Sequence, residues 1–536
     1  MPIMPGPTPS ARKAALITGG LITAGLIAFF VIEGPKQSEF RGMGMALILE
    51  KQDEWRRELI LDGRHLNELA TWQIQEEVAK RSHLSEGGVK GLSRRASNAK
   101  DRVLAVDGHL ISGNQELAAE MAWSLAPQME GMMDQFTPSQ VAHMYRNAGD
   151  AAWQGGRADF SPAEAYQTAI AVLAKSKGTE EQRAWLQLDL ASYHWSQVNF
   201  FPEDPDGELA SMIEAARAAG DAFAQMKTAT PLAQVAAKRL EGEAWLKRAA
   251  MAERAIAGTA SEEMAGHLAK AVEMLSKALA LAEPSDQAFL KATLHHKLGL
   301  ALTLQAAAER EQKDDRLAEA ELHFQSALER RPASFAAGSI DVRMLGRRLQ
   351  ERAESLAALS FAQFLAAQNR ENAEGLRTSI QSARAALQLT TERDDSPAWV
   401  TAVGSLAFAQ TCLCQEAATA VEAAPFAHEA IENALSALRK YPIGQQNEPG
   451  VPSRASFLRA LGAVCDQVLK QPDIPGIHLY VDEMEAVVRP IFEAVGASTD
   501  PTTFSAASIT LNRILELKAR VRADGDVSPP KGDEEI

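Results

Sequence analysis

Three histidines lie where they could bind a metal ion. His295 and His296 are adjacent in the sequence, and His323 lies on the following predicted helix. Imidazole nitrogens are common ligands of zinc, and a structural zinc site needs four ligands. Neighbouring residues on a helix point about 100° apart, so His295 and His296 do not face one ion. A site built from His323 and one of them lacks ligands, and the spacing therefore predicts no metal centre.

Other patterns associated with catalysis are incomplete. The stretch HEAIE (residues 428–432) lacks the second histidine of a zinc-protease helix, and the glycines in EGGVKG (residues 86–91) precede no G-K-[ST]. The three cysteines, Cys412, Cys414 and Cys465, form no C-x-x-C pair and are expected to pack as small apolar residues. The sequence therefore predicts no enzyme activity, no metal and no cofactor.

The bulk composition favours helices that remain soluble. The chain has 536 residues, 6% aromatic residues and a net charge of −15, and almost no segment alternates in the manner of a strand. A general nucleic-acid binder needs a basic face, which this charge balance disfavours. The elements that position any functional residue are therefore expected to be helices.

One short segment suggests how those helices pack. In AELHFQSALERRP (residues 320–332), the small residues Ala320 and Ala327 flank Phe324 on one helical face. Such a face lets another helix approach closely, and Pro332 is expected to end the helix. Related patterns recur around residues 271–284 and 430–442, and more loosely around residues 165–169 and 380–383.

The recurring pattern resembles tetratricopeptide repeats. In that family the second helix of each pair reads small-x3-aromatic-x2-small-x4-proline, which Ala320, Phe324, Ala327 and Pro332 match, and the first helix carries Leu-Gly, which Leu298-Gly299 matches. The separation between the two helices is longer here than is usual in the family. The resemblance implies an all-α solenoid of antiparallel helix pairs. A plain antiparallel bundle with alanine-rich faces is the alternative.

A solenoid of this kind implies a groove lined by its first helices. Such a groove can bind a peptide, a helix or a partner domain. Five residues on predicted first helices are candidates to line it: Trp185, Tyr193, Trp245, His295 and Trp399.

The N-terminus is predicted to be a membrane anchor. Residues 14–32 contain no charge and are long enough to cross a bilayer as a helix. Arg12 and Lys13 precede the run, which favours a cytoplasmic N-terminus and a periplasmic soluble domain. Gly20, Ala24 and Ala28 form a small-residue stripe that could contact another transmembrane helix. A cleaved signal peptide is the alternative, although no A-x-A site follows the run.

A short segment beyond the anchor carries a second resemblance. Residues 40–45 read FRGMGM, which looks like the segment after the anchor of multihaem cytochrome subunits of photosynthetic reaction centres, although no haem motif is present. The resemblance implies docking onto membrane subunits. The residues expected to dock are Phe40, Arg41, Gly42, Gly44 and Met45.

Together these features predict five regions. They are a cytoplasmic tail (1–13), a transmembrane helix (14–32), a juxtamembrane helix and basic linker (33–105), a helical repeat domain (106–522) and an acidic disordered tail (523–536). The expected function is a scaffold in the inner membrane, acting as an accessory or structural subunit or an assembly factor of a photosynthetic or respiratory complex. Its expected partners are integral membrane proteins and lipid, not nucleic acid. The alternative is a periplasmic chaperone-like adaptor that binds client polypeptides transiently in its groove.

Overall fold

The computed structural model describes residues 102–525 apart from short gaps, and these residues form α-helices and turns without a strand. The gaps are residues 104, 107–108, 111–113, 156–157, 201–202, 227–230, 256–261, 309–312, 332–341, 391–395, 441–450 and 496–499. The chain divides into two compact units, with the boundary between Thr179 and Glu180.

In the described part of the first unit, short helical stretches within residues 102–110 precede three continuous helices. These are α1 (Gln115–Glu130), α2 (Pro138–Gly155) and α3 (Pro162–Ala174). The middle helix, α2, packs against both α1 and α3.

The second unit continues with longer helices. They are α4 (Glu180–Phe200), α5 (Pro205–Gln225), α6 (Pro231–Ala255), α7 (Glu262–Ala282), α8 (Ala288–Ala308), α9 (Lys313–Arg330), α10 (Val342–Asn369), α11 (Ala373–Leu387), α12 (Pro397–Glu416), α13 (Ala420–Lys440), α14 (Arg454–Lys470), α15 (Val481–Ala494) and α16 (Pro501–Gly525). A short 3₁₀ helix (Ile477–Tyr480) precedes α15.

The helices of the second unit form successive pairs. From α4 to α13, each helix packs against the next one along the chain, and α10, α12 and α14 also contact one another in that order. We call α4, α6, α8, α10 and α12 the first helices, and α5, α7, α9, α11 and α13 the second helices. This neighbour-to-neighbour packing confirms the predicted all-α array of helix pairs for the described residues.

Many helices begin with a polar residue followed by proline. The side chain of Ser161 accepts a hydrogen bond from the backbone N–H of Glu164 at 3.0 Å, and Ser396 caps α12 in the same manner. Proline fits the first helical position because the N–H it lacks has no partner within the helix. The prolines that begin described helices are Pro138, Pro162, Pro205, Pro231, Pro397 and Pro501.

One described helix, α12, has the length and apolar composition of a membrane span. About nine-tenths (89%) of the most apolar stretch of this helix is buried within the protein, as expected for a core helix. The predicted transmembrane helix at residues 14–32, with Gly20, Ala24 and Ala28, lies outside the described residues. The same holds for the docking segment Phe40 to Met45 and for Pro332.

Candidate functional site on the first helices

The first helices are buried on nearly every side. Along α6 and α12 almost all residues are shielded from solvent, including polar ones. The second helices differ, because each has a buried stripe and a solvated face; in α9 the buried stripe is Leu317, Ala320, Phe324 and Ala327. A first helix packs against its own second helix and against the pairs on either side, which explains the difference.

The tryptophans predicted to line a groove lie in the core. Trp185, Trp245 and Trp399 are each only 5–7% exposed. Trp185 packs edge-on against Phe223 of the following second helix, with ring centroids 5.4 Å apart. Of the other groove candidates, Tyr193 is half-buried and His295 is buried. In the described residues, these aromatic groups therefore do not form an open binding surface.

Two of these indole rings are covered by lysines of second helices. Lys270 Nζ lies 4.2 Å from the centroid of the Trp245 ring, and Lys440 Nζ lies 5.0 Å from that of Trp399. Both distances are within the range of a cation–π contact. The charged end of each lysine stays near solvent while its stem covers apolar surface, so the tryptophans hold the two helices of a pair together.

The repeat signature forms the contact between α8 and α9. Leu298, Gly299, Ala320, Phe324 and Ala327 are all buried. A Cβ atom added at Gly299 would lie 2.8 Å from the Phe324 ring, so only glycine lets the helices approach this closely. The signature glycine and the signature phenylalanine thus form a close contact between the two helices of the pair.

Two further helix pairs repeat this contact. A Cβ atom added at Gly149 would lie 3.2 Å from the Tyr166 ring, and one at Gly242 would lie 2.7 Å from Leu275. Gly404 on the first helix α12 differs. Its nearest neighbours are Pro452, which lies just before α14, and Phe457 on α14. Glycine therefore marks close contacts of two kinds, within pairs and between pairs.

The two adjacent histidines of α8 serve different interfaces. His295 Nδ1 lies 2.8 Å from Nδ1 of His323 on α9, and His296 Nδ1 lies 3.2 Å from Oγ of Ser355 on α10. His295 and His296 are each less than 8% exposed. The adjacent rings diverge, as the helix geometry predicts, and contact different helices.

Arg331 connects the same three helices. Its Nη1 donates to Ser355 Oγ at 2.5 Å and to the backbone carbonyl of Glu351 at 2.7 Å, and its Nη2 lies 3.4 Å from Thr293 Oγ1 on α8. Because an arginine only donates, the Ser355 hydroxyl accepts from Arg331, and it either donates to His296 Nδ1 or accepts from it, depending on the tautomer of His296.

Burial and nearby cations lower the pKa of these histidines. The pKa of His295 falls to about 4, mainly because of burial and then because of His323, Arg330 and Lys291. The pKa of His296 falls well below its usual value, through burial and through the charges of Arg331 and Lys297, with Glu243 opposing. The pKa of His323 is also lowered by burial, with Glu319 opposing.

A buried ion pair on α6 was not predicted from the sequence. Arg239 and Glu243 are only 1–2% exposed, and Arg239 Nη1 lies 3.1 Å from Glu243 Oε1. The spacing of Arg239, Glu243 and Lys247 at every fourth residue puts them on one face of α6. This spacing could have indicated an ion pair on one face of the helix, but charged residues at such spacing ordinarily lie on a face exposed to solvent.

The described residues offer little for covalent or metal chemistry. In that part of the chain no three His, Cys, Asp or Glu side chains come together to hold a metal ion. Burial raises the pKa of the Cys412 and Cys414 thiols to about 11 and that of Cys465 to about 12. These thiols stay protonated near neutral pH and behave as small packing groups.

Comparisons with known proteins show similarity at the level of the fold. No protein-family model matches the sequence, and none of the curated proteins is significantly similar to it. Among solved structures, the apo form of RapI is 11% identical, with 89% of this chain and 99% of that chain covered and a TM-score of 0.42. A Rap protein complexed with competence and sporulation factor is also 11% identical, with 89% and 99% covered and a TM-score of 0.36. The human IFIT1 dimer with PPP-AAAA is 14% identical, with 89% and 95% covered and a TM-score of 0.34.

These similarities are too remote to indicate a ligand or partner. The fold itself is an all-α array of helix pairs, as the packing described above shows for the described residues.

Proposed function

We propose that the protein is a membrane-anchored scaffold of helical repeats that binds other proteins. In this proposal residues 14–32 hold it in the inner membrane, with the repeat domain in the periplasm. It would act as an accessory or structural subunit, or an assembly factor, of a photosynthetic or respiratory membrane complex. A role without catalysis remains a prediction, based on the incomplete motifs.

The enclosure of the first helices is the observation that supports this proposal best. A transient client binds in a groove only when groove residues are accessible, yet α6 and α12 are buried nearly all round and Trp185, Trp245 and Trp399 lie in the core. The solvated faces of the second helices are the surface that the repeats leave for a partner. A stable partner on an outer surface fits a fixed subunit better than a chaperone that encloses its client.

The charge of the two layers indicates the chemistry of such a partner. Between α5 and α10, the second helices α5, α7 and α9 each contain more Asp and Glu than Lys and Arg and the first helices contain the reverse, whereas outside this region α11 is basic and α4 and α12 are acidic. The outward layer is therefore acidic in this region. This acidic surface would attract a partner surface rich in lysine and arginine and would help to orient it.

The proposed docking segment allows a direct test. Full-length protein is extracted from native membranes in mild detergent, the particle is sized and the co-migrating proteins are identified. A variant with Arg41→Ala and Gly42→Ala is compared with a control carrying Lys36→Ala and Gln37→Ala nearby. We expect a discrete complex of constant stoichiometry in the wild type and the control, and its loss in the Arg41/Gly42 variant.

The other outcomes contradict parts of the proposal. Protein that elutes alone or with heterogeneous, substoichiometric clients in every sample would favour the chaperone-like adaptor. A discrete complex that persists in the Arg41/Gly42 variant would retain the scaffold and remove residues 40–45 from its docking surface. Protein found in the soluble fraction without detergent would overturn the membrane anchor.

A further inference from the structure

We propose that His295, His323 and His296 form an acid-sensitive joint that opens α8 from α9 and from α10 when the His295–His323 pair becomes doubly protonated and His296 takes up a proton. The proposal concerns the stability of the array and does not depend on the identity of its partner. It follows from two contacts: the His295–His323 hydrogen bond, in which one Nδ1 atom must accept, and the hydrogen bond of His296 Nδ1 with Ser355 beside the Arg331 guanidinium.

The contact between α8 and α9 requires that one of its two imidazoles is neutral. The Nδ1 atoms of His295 and His323 lie 2.8 Å apart, so one of them carries a hydrogen and donates the hydrogen bond, and the other accepts that bond. A first added proton keeps this hydrogen bond, because an imidazolium can donate to an imidazole. A second added proton removes the acceptor and leaves two cations in contact, so double protonation breaks the interface.

The contact between α8 and α10 places His296 beside a permanent charge. Ser355 Oγ accepts from the Arg331 guanidinium and lies 3.2 Å from His296 Nδ1, so the two basic groups share one hydroxyl. Protonation of His296 puts a second cation beside the permanent charge of Arg331. Ser355 is fully buried, so water does not screen these two charges without an opening of the interface.

The charged surroundings oppose protonation of both rings. Lys291 of α8 and Arg330 of α9 face His295, while Glu319 of α9 acts on His323. The charged groups around His296 are Lys297 of α8, Glu243 of α6 and Arg331 after α9, and Arg331 is in turn faced by Glu351 and Glu354 of α10. For both histidines the cations and the burial prevail over the carboxylates, in agreement with their lowered pKa values.

The sign of the pH effect follows from proton linkage. A histidine with an unfolded pKa of 6.5 and a much lower folded pKa takes up a proton when its surroundings open, so opening becomes more favourable as the pH falls below 6.5. From pH 7.5 to pH 5.5, each such histidine favours opening about tenfold, and two favour it about a hundredfold. The effect is absent above pH 7.5 and levels off near the folded pKa, which is about 4 for His295.

Native-state hydrogen exchange measured by mass spectrometry tests this joint. The amides of α8 are followed at pH 7.5 and 5.5, after correction for the intrinsic pH dependence of exchange. The amides of α12, whose sequence has no histidine, serve as an internal control in the same molecule. We expect opening of α8 to increase about a hundredfold at pH 5.5 relative to the change in α12.

Two variants assign the effect to the named rings. His295→Asn and His296→Asn each keep a polar group near the position of Nδ1, but the new side chain does not titrate. Each substitution is expected to reduce the pH response of α8 from about a hundredfold to about tenfold. His428→Asn is the matched control, since His428 on α13 donates from Nε2 to the Pro475 carbonyl away from α8. An equal response of α8 and α12 in the wild type, or an unchanged response in both variants, would overturn the proposal.

Discussion

At the scale of single residues, the array depends on positions where helices approach most closely. Gly299 faces the Phe324 ring with no room for a methyl group, and the same relation holds for Gly242 and Leu275. A glycine inside a helix costs about 1 kcal/mol relative to alanine. Its presence at these positions is explained by the packing that it permits.

Substitution of two glycines separates these effects. In Gly299→Ala the new Cβ lies 2.8 Å from the Phe324 ring, so the overpacking should outweigh the gain in helix propensity. We expect a loss of about 1–2 kcal/mol in the local unfolding free energy of α8 and α9, measured by hydrogen exchange. Gly266→Ala on α7 is the control, because nothing lies within 4 Å of its Cβ position. That change should stabilise α7 by up to about 1 kcal/mol; equal effects of the two substitutions would contradict this account.

The sequence predicted which residues form the repeat but not which way the tryptophans face. The spacing of Ala320, Phe324 and Ala327 defines a face because a second helix is buried on one side only. A first helix is buried on most sides and has little apolar periodicity, so its pattern alone did not show that Trp245 and Trp399 face the core, although tryptophans on such helices more often do so than line a groove. For the same reason the buried charges of Arg239 and Glu243 were not recognised.

At the scale of elements, the stack is held by side chains that cross from one helix to the next. Apolar contacts bury the second helices, and buried polar groups tie the first helices to their neighbours. Arg331 is the clearest example, because it leaves the end of α9 and reaches both α8 and α10. Its two Nη atoms donate to groups on α8 and α10, and these hydrogen bonds fix the position of the buried guanidinium.

Replacement of Arg331 should loosen this junction. Arg331→Met removes the donors to Ser355, to the Glu351 carbonyl and to Thr293, and leaves buried acceptors without partners. We expect α8 to α10 to lose about 3 kcal/mol of local stability, again measured by hydrogen exchange. The control is Arg377→Met on α11, which breaks only an exposed ion pair with Glu374 and should change stability by less than about 0.5 kcal/mol. Similar effects of the two changes would show that Arg331 has no special role.

The boundaries of the elements were predictable where a cap and a proline occur together. Ser-Pro, Thr-Pro and Asp-Pro begin α2, α3, α5, α12 and α16, and this pairing is visible in the sequence. The sequence analysis used prolines chiefly as helix ends, on the basis of the resemblance to tetratricopeptide repeats. Pro284 follows the end of α7 as expected, but most prolines of the described helices mark starts. Loop lengths between paired helices vary, so the spacing of prolines alone does not give the repeat period.

At the scale of the second unit, the packing order limits how far a local change spreads. From α4 to α13, each pair contacts mainly the pairs beside it, so stability is close to a sum of local terms and neighbour contacts. At the C-terminal side, α16 packs on both α14 and α15, and a shared apolar core connects these helices with α12 and α13. A defect in that core should therefore remain there.

Phe457 on α14 is the residue with which to test this. It is fully buried, its ring lies 5.6 Å from that of Phe408 on α12, and it fills the space over Gly404. Phe457→Ala leaves a cavity that costs about 3–5 kcal/mol. We expect hydrogen-exchange protection of α14 and α16 to fall by two to three orders of magnitude. Protection of α6 and α7, which are separated from Phe457 by intervening pairs, should stay unchanged.

Phe457→Ala would change hydrogen exchange differently if the second unit were a single cooperative domain. If the second unit unfolded as one body, the most protected amides of α6 and α7 would lose as much protection as those of α14, because all would exchange through the same global opening. Leu479→Ala is the matched control, since Leu479 in the 3₁₀ helix is 73% exposed and its loss creates no cavity. A uniform loss of hydrogen-exchange protection with Phe457→Ala would contradict the view that stability is a sum of local terms and neighbour contacts. A loss confined to the C-terminal helices means that a partner bound there stabilises its own neighbourhood and leaves distant pairs free to open.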